Sequence, residues 1–232
     1  MNHKIKYSFL TLTLLFLGAC ETLETKSEAF PSFYDESPNP VSMVIVPAIN
    51  QTAAADAGEL VSATLAQPFA DNGYYVLPLP IVSQIFQLEG ITDGQQTLGL
   101  SGDLFQKAFG ADTVLYVTID QWETNYAILA ANVTVGLSYV LRSTSTDEVL
   151  WSYRAQQVID TSGDSTGFIF ADLMMTAVKT ALTDYLPIAY QVNSMAVATL
   201  PHGVYHPQYG NDGDAGVISV RLKEGAVEDL GQ

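Results

Sequence analysis

Two histidines and two aspartates near the C-terminus are the residues whose types and spacing best suit metal chemistry. His202 and His206 are four positions apart, and Asp212 and Asp214 follow shortly after them. Imidazole nitrogens and carboxylate oxygens are common ligands of Zn²⁺ and similar ions. A glycine and a proline in the same stretch, however, indicate a loop. A His/Asp metal site therefore competes with an ordered loop that packs on the domain, and we predict the packed loop and no bound metal.

A second candidate for chemistry is Cys20, the only cysteine of the chain. It follows a start with two lysines, an apolar stretch over residues 7–17 and a pair of small residues. This stretch is too short for a permanent membrane-spanning helix, and the layout is that of a secretion signal. With a cysteine at the cleavage point it resembles a bacterial lipoprotein signal. We predict that residues 1–19 are a signal peptide and that Cys20 receives acyl chains such as palmitate.

No motif in the chain indicates catalysis. The sequence contains no G-x-S-x-G elbow, H-E-x-x-H helix, C-x-x-C pair or phosphate loop. Residues 163–167 resemble a glycine-rich loop, but they include no lysine and Asp164 would repel phosphate, so they are predicted to cap the next helix. No pair of carboxylates stands out as an acid/base couple. We predict that the protein is not an enzyme and holds no cofactor.

The charge of the chain limits its partners. Nine Lys and Arg residues against 25 Asp and Glu residues give a net charge of −16, and loss of residues 1–19, which contain two lysines and no acid, makes it −18. Such a chain repels nucleic acid and anionic lipid headgroups. Acyl chains, each buried CH₂ of which contributes about 0.8 kcal/mol, must therefore hold the protein at a membrane. Without a second cysteine, stability must come from a packed core.

Residues 20–40 are predicted to be the lipidated cysteine and a flexible tether, because they are polar, acidic and contain prolines. About 20 residues reach at most roughly 66–70 Å. Three aromatic residues here, Phe30, Phe33 and Tyr34, either dock back on the domain or form a peptide that a partner recognises. Glu21 is not the aspartate associated with inner-membrane retention. We therefore predict the outer membrane, with the domain facing the periplasm.

Hydrophobic periodicity predicts the elements of one domain over residues 41–210. A continuous apolar run at 43–47, a helical pattern over 54–71 and a second strand at 74–77 form a βαβ unit. Alternating patterns then predict an antiparallel meander of three strands. The other predicted helices cover residues 79–88, 101–109, 165–186 and 189–200, and the meander strands cover 112–122, 126–141 and 149–155. The fold class is therefore α/β, a mixed sheet with a βαβ unit plus an antiparallel meander and with helices packed on it.

Several smaller features have two readings. Trp122 and Trp151 are predicted in the core rather than as exposed anchors, and Met174–Met175 in the core rather than in a binding groove. Residues 211–232 are predicted to be an acidic C-terminal tail, in which 217–222 could form a short strand.

Six segments together resemble a family of uncharacterised lipoproteins of Gram-negative bacteria. The resemblance spans about residues 42–210 and rests on Val44–Thr52 (VIVPAINQT), Gly73–Pro78 (GYYVLP), Phe109–Asp112 (FGAD), Leu115–Trp122 (LYVTIDQW), Glu148–Trp151 (EVLW) and Leu200–Pro207 (LPHGVYHP). It implies an α/β fold similar to the N-terminal domain of the periplasmic protein TolB, and a place among lipoproteins that help to build envelope machines. Such lipoproteins often occur beside a curli-secretion-channel-like lipoprotein, which is therefore an expected partner.

The sequence thus predicts a membrane-anchored lipoprotein that acts as an interaction or accessory component of a cell-envelope assembly or secretion system. The alternative is a lipoprotein that binds an envelope glycan or a small molecule, for which a pocket with convergent polar groups would be needed. A homo-oligomer is compatible with both functions.

Overall fold

The computed structural model describes residues 24–35, 39–127, 130–160 and 186–217. Several predictions lie outside these residues: the signal peptide, Cys20, the loop at 163–167, the helix over 165–186 with Met174–Met175, and residues 218–232. Within the described residues no helix is long and apolar enough to cross a membrane.

Helices and strands alternate in the first half of the chain, and long strands dominate the second. The helices are α1 Lys26–Ala29, α2 Pro31–Asp35, α3 Ala57–Asp71, α4 Leu79–Leu88, α5 Gly102–Phe109 and α6 Leu186–Thr199, with a 3₁₀ turn at Gly94–Thr97. The strands are β1 Ser42–Ile45, β2 Ile49–Asn50, β3 Tyr75–Val76, β4 Thr113–Ala127, β5 Ala130–Ser143 and β6 Val149–Asp160.

The strands form one mixed sheet of six strands in the order β3-β1-β4-β5-β6, with β2 beside β4. Strand β1 is parallel to β3 and to β4, whereas β4, β5 and β6 are antiparallel neighbours. The predicted mixed sheet, with a βαβ unit (β1-α3-β3) and a meander (β4-β5-β6), is therefore confirmed. The likeness to the TolB N-terminal domain stays a prediction.

Alternation along the strands separates two apolar cores, one on each face of the sheet. Leu137, Tyr139 and Leu141 of β5 point towards α3 and α6 and belong to the larger core, which also holds Trp122 and Trp151. The other face packs Val82 and Phe86 of α4 and Phe105 of α5 against Val44, Val46, Val114, Tyr116 and Val140. The two tryptophans are therefore core residues, as predicted.

Helix α3 runs along the sheet and brings the chain back to the side from which β1 and β3 start. Its 15 residues make it about 22 Å long. Pro68 lies inside the last turn without ending the helix, which continues to Asp71. Gly73 then takes a φ of 91°, a left-handed conformation that favours glycine, and turns the chain into β3.

The start of α3 differs from the prediction. The sequence predicts the helix from residue 54, but α3 begins at Ala57, after Asn50, which ends the short parallel strand β2. Its side-chain oxygen accepts hydrogen bonds from the N–H and the hydroxyl of Thr52, and its amide donates to Ala54 O. These hydrogen bonds pair backbone groups of Thr52 and Ala54 in a local turn between β2 and α3, so the helix begins only at Ala57.

The flexible tether predicted over residues 20–40 is wrong for residues 24–35, which we call the N-terminal segment. This segment forms α1 and α2, and Phe30 and Phe33 are buried in the larger core. Phe30 and Phe33 therefore dock on the domain and are not free for a partner, whereas Tyr34 stays exposed. Burial of the two rings, worth about 1.5–3 kcal/mol each, offsets the conformational entropy that a flexible tether would retain.

The acidic tail predicted from residue 211 is also wrong for its first part. Residues 201–217, which we call the C-terminal loop, are ordered, and both Asp212 and Val217 are buried. Val217 lies in no strand, and the rest of the predicted strand at 217–222 lies outside the described residues. The ordered domain therefore includes both the N-terminal segment and the C-terminal loop.

Candidate functional site

The N-terminal segment and the C-terminal loop are joined by a set of contacts that we call the latch. Thr25 and Gly216 form an antiparallel bridge. Val217 N–H donates to Glu24 O at 2.7 Å, and Lys26 N–H donates to Ala215 O at 2.9 Å. The chain end that leads to Cys20 is thereby paired with backbone that follows the last described helix.

A buried ion pair lies at the centre of the latch. Lys26 Nζ is 3.0 Å from Asp212 Oδ2, and the two side chains are only 5% and 7% exposed. Lys26 Nζ also donates to Leu200 O at 2.8 Å, and the same Asp212 oxygen accepts the N–H of His202 at 2.9 Å. Each charge is therefore neutralised and hydrogen-bonded, which burial of a charge requires.

A second layer of polar contacts connects the latch to the end of α3. His202 Nδ1 is 2.7 Å from Asn72 Oδ1, so the imidazole must carry its proton on Nδ1. Asn72 Nδ2 donates to Pro201 O at 3.2 Å, and the buried Tyr74 hydroxyl donates to the same carbonyl at 2.8 Å. These contacts fix the start of the C-terminal loop against the beginning of β3.

The close approach of the backbone at Gly73 needs two glycines. A Cβ at Gly73 would lie 2.7 Å from Gly203 O, and a Cβ at Gly203 would lie 2.5 Å from Gly73 C. Gly203 N–H donates to Asn72 O at 2.9 Å, and Tyr205 N–H donates to Gly73 O at 3.1 Å. Any side chain at either glycine would push the C-terminal loop away from α3.

Burial lowers the pKa of His202 from its ordinary value. Asp212 opposes this effect, whereas the charges of Lys26 and His206 add to it. The rings of His202 and His206 are stacked with centroids 3.6 Å apart. A proton on His202 would therefore sit among a cation, a second imidazole and a carboxylate that Lys26 already neutralises.

The structure brings His202, His206 and Asp212 together, but not as metal ligands. Asp212 Oδ2 is occupied by Lys26, His206 Nδ1 accepts the N–H of Gln208 at 3.1 Å, and Asp214 is exposed. Within the described parts of the chain, no group of three or more His, Cys, Asp and Glu residues is arranged to hold a metal ion. The loop instead fits the packed-loop interpretation.

A shallow open groove of about 240 Å³ lies between α3 and α6. It is lined by Pro68, Asp71, Asn72, Tyr190, Ser194, Val197 and Ala198. Pockets for small molecules typically measure about 300–1,000 Å³ and bury most of their ligand. This groove is smaller and open, so it does not favour the ligand-binding alternative.

Strand β6 lies at the edge of the sheet opposite β3, where it pairs with β5. No strand among residues 24–35, 39–127, 130–160 and 186–217 pairs with its other side. Its Val158 is 52% exposed. Strands β4, β5 and β6 have 15, 14 and 12 residues, and the parallel strands pair with β4 only as far as Ile119. The meander therefore extends past the parallel part of the sheet, at the opposite end from the latch.

Sequence reasoning missed the role of Lys26 and Asp212, which are 186 positions apart. One local signal was present in the T-x-x-E pattern of Thr25 and Glu28, which is a capping box and indicates a helix start. Together with Phe30 and Phe33, one turn further on, it points to a short amphipathic helix rather than a spacer.

The fold and the latch define an α/β domain that includes the N-terminal segment, which begins four residues after Cys20. The model of the family described as "Putative lipoprotein GNA1162-like" matches residues 32–205. This range covers most of the chain, and the chain therefore belongs to that family of bacterial lipoproteins.

A curated protein and a solved structure from Neisseria meningitidis agree with this membership. "Putative lipoprotein NMB1124/NMB1162" of serogroup B strain MC58 is 27% identical over 187 residues, which cover 81% of this chain and 86% of the relative. The crystal structure of lipoprotein GNA1162 aligns with a TM-score of 0.53 and 26% identity, over 62% of this chain and 98% of that chain. The predicted resemblance to a lipoprotein family is therefore confirmed.

Proposed function

We propose that the protein is a lipoprotein anchored to the outer membrane through Cys20, which presents its α/β domain to a protein partner of a periplasmic assembly or secretion system. Membership of a lipoprotein family and the signal-like residues 1–19 support the anchor. The protein acts by binding and not by catalysis. A curli-secretion-channel-like lipoprotein remains the expected kind of partner, and self-association is compatible with the same role.

The observation that carries this proposal is the latch. Cys20 is five residues from Thr25, and five residues span at most about 18 Å. A free tether from Cys20 to the start of β1 would instead reach about 70 Å. The lipid therefore holds the domain close to the bilayer in a restricted pose, which raises the effective concentration of its surfaces for a partner in the same membrane.

The edge of β6 is the contact that suits a protein partner best. A strand with one unpaired side can accept another strand through main-chain hydrogen bonds. Helix α2 contacts β6, but Val158 lies towards the end of that strand away from the latch, so an anchor at Cys20 leaves this part of the edge accessible. Val158, on this strand, provides an exposed apolar side chain for specificity.

Site-specific photo-cross-linking in native membranes tests the proposal. A photoreactive residue replaces Val158 on β6 or, as the control, Ile81 on α4, which is similarly exposed at 56%. We expect one discrete adduct with an envelope protein from position 158, absent from position 81 and lost when Cys20→Ala prevents lipidation. Equal adducts from both positions, or an unchanged adduct without lipidation, would contradict the proposal.

A further inference from the structure

The latch end of the domain carries three exposed tyrosines on or beside the C-terminal loop. Tyr205 is 68% exposed, and Tyr34 and Tyr209 are each 36% exposed. Tyr34 of α2 lies against the loop, since its ring is 3.7 Å from the position of a Cβ on Gly213. The Tyr209 hydroxyl accepts a hydrogen bond from Asn39. The three tyrosines thus lie on the N-terminal segment and the C-terminal loop, which the latch joins.

The anchor must lie near these tyrosines. Thr25 pairs with Gly216 and Lys26 with Ala215, so the N-terminal segment and the C-terminal loop share one end of the domain. From Thr25 the chain has at most about 18 Å in which to reach the lipidated cysteine. The far end of α3, where Ala55 is exposed, is about 22 Å further along the helix axis. The latch end of the domain therefore lies closer to the bilayer than any surface at the far end of α3.

Tyrosine is well suited to that position. Its ring is apolar and its hydroxyl is polar, and tyrosine is enriched where proteins meet the boundary of a bilayer. Burial and the nearby Asp212 and Asp214 raise the pKa of Tyr34 to about 12, so this hydroxyl stays neutral and able to donate a hydrogen bond to a phosphate ester.

The charges at this end select the kind of lipid. Glu28, Asp35 and Asp214 are exposed there, whereas Lys26 is buried in its pair with Asp212. Among the described residues of the N-terminal segment and the C-terminal loop, Lys26 is the only lysine or arginine, and it is buried. An anionic headgroup would therefore be repelled. A zwitterionic headgroup offers its ammonium group to the carboxylates and its phosphate to the tyrosine hydroxyls.

We propose that Tyr34, Tyr205 and Tyr209 form a membrane-facing surface that rests on zwitterionic lipid headgroups and sets the orientation of the anchored domain. This inference rests on the proposed anchor at Cys20, and it adds the surface, the lipid chemistry and the direction in which β6 is presented. The lipid supplies the affinity, and the tyrosines supply the orientation.

Site-specific fluorescence quenching tests the inference on the full-length lipidated protein. Because Cys20 is the only cysteine and its thiol is used by the lipid, Tyr205→Cys or Ala55→Cys introduces one free thiol for a fluorophore. The labelled proteins are placed in vesicles of phosphatidylethanolamine and phosphatidylcholine that contain a headgroup nitroxide. We expect several-fold stronger quenching at position 205 than at position 55, and a smaller difference when phosphatidylglycerol replaces part of the lipid.

The outcomes separate the inference from the anchor. If the protein floats with the vesicles but positions 205 and 55 are quenched equally, or position 55 more, the membrane-facing surface is wrong while the anchor stands. If the protein does not float with the vesicles, the proposed anchor fails and the inference with it. A Tyr34→Ser/Tyr209→Ser variant should float normally and lose the difference between the two labels. An unchanged difference in that variant would show that the tyrosines do not orient the domain.

Discussion

Replacement of Lys26 by methionine is the sharpest perturbation of the latch. Methionine keeps most of the length of the side chain and removes its charge, so Asp212 is left buried without its cation. Loss of one partner of a buried ion pair costs about 3–5 kcal/mol. Because Asp212 Oδ2 still accepts the His202 N–H, we expect the lower end, about 3 kcal/mol.

This loss is comparable to what the burial of either phenylalanine of the N-terminal segment contributes. Phe30 and Phe33 are 6% and 5% exposed, and their burial contributes about 1.5–3 kcal/mol each. A loss of about 3 kcal/mol should therefore release the segment roughly 100 times more often without unfolding the sheet.

Hydrogen exchange of the segment measures this release. The reporting amides are those of Ala29 and Phe30, which donate to Thr25 O and Lys26 O within α1. We expect exchange of these amides to accelerate about 100-fold in Lys26→Met, while β5 amides keep their rates. The control is Lys107→Met, which removes an exposed ion pair with Asp103 and should change neither set. Unchanged exchange at residues 29–30 in Lys26→Met would refute the reasoning that the ion pair holds the latch.

Three further predictions concern the packing around the latch and the core. Gly73→Ala should lower the unfolding free energy, measured by urea denaturation, clearly more than Gly90→Ala. Both glycines have a positive φ, which costs a residue with a Cβ about 1–2 kcal/mol, but only a Cβ at Gly73 meets backbone atoms. Equal losses in the two variants would contradict the close approach at Gly73. Tyr139→Phe should cost about 1–3 kcal/mol because it leaves the buried Asn193 Oδ1 without its donor, whereas Tyr190→Phe at an exposed site should cost nothing measurable in the same assay. Since burial lowers the pKa of His202, the unfolded chain binds its proton more readily, and stability should fall as the pH drops through and below about 6.5. The urea midpoint of a His202→Asn variant should fall less between pH 8 and pH 5 than that of the natural chain, and parallel curves would contradict this origin.

The sheet could be predicted from the sequence because its signal is local. Alternating apolar residues along β5 placed Leu137, Tyr139 and Leu141 on one face, and the larger core confirms that placement. Helix α4 was predicted with its observed bounds for the same reason, since Val82 and Phe86 repeat at helical spacing. In both cases the residues that decide the element lie within a few positions of each other in the sequence.

The latch could not be predicted because its partners are distant in sequence. A lysine followed by serine and glutamate is typical of an exposed linker, and nothing near Lys26 shows that Asp212 will neutralise it in the folded chain. The same applies to Gly73 and Gly203, whose backbone contact depends on how α3 and the C-terminal loop meet. The histidine pair was noticed, but its metal interpretation depended on an Asp212 that Lys26 occupies.

The account depends most directly on the chemistry of Cys20. Intact-mass and peptide mass spectrometry of the protein extracted from outer membranes would determine the first residue and its modification. We expect a mature chain that begins at Cys20 and carries acyl chains on that residue, and a Cys20→Ala variant that lacks them and leaves the membrane. A mature chain that begins at another residue, or an unmodified Cys20 in membrane-bound protein, would contradict the anchor and the restricted pose derived from it.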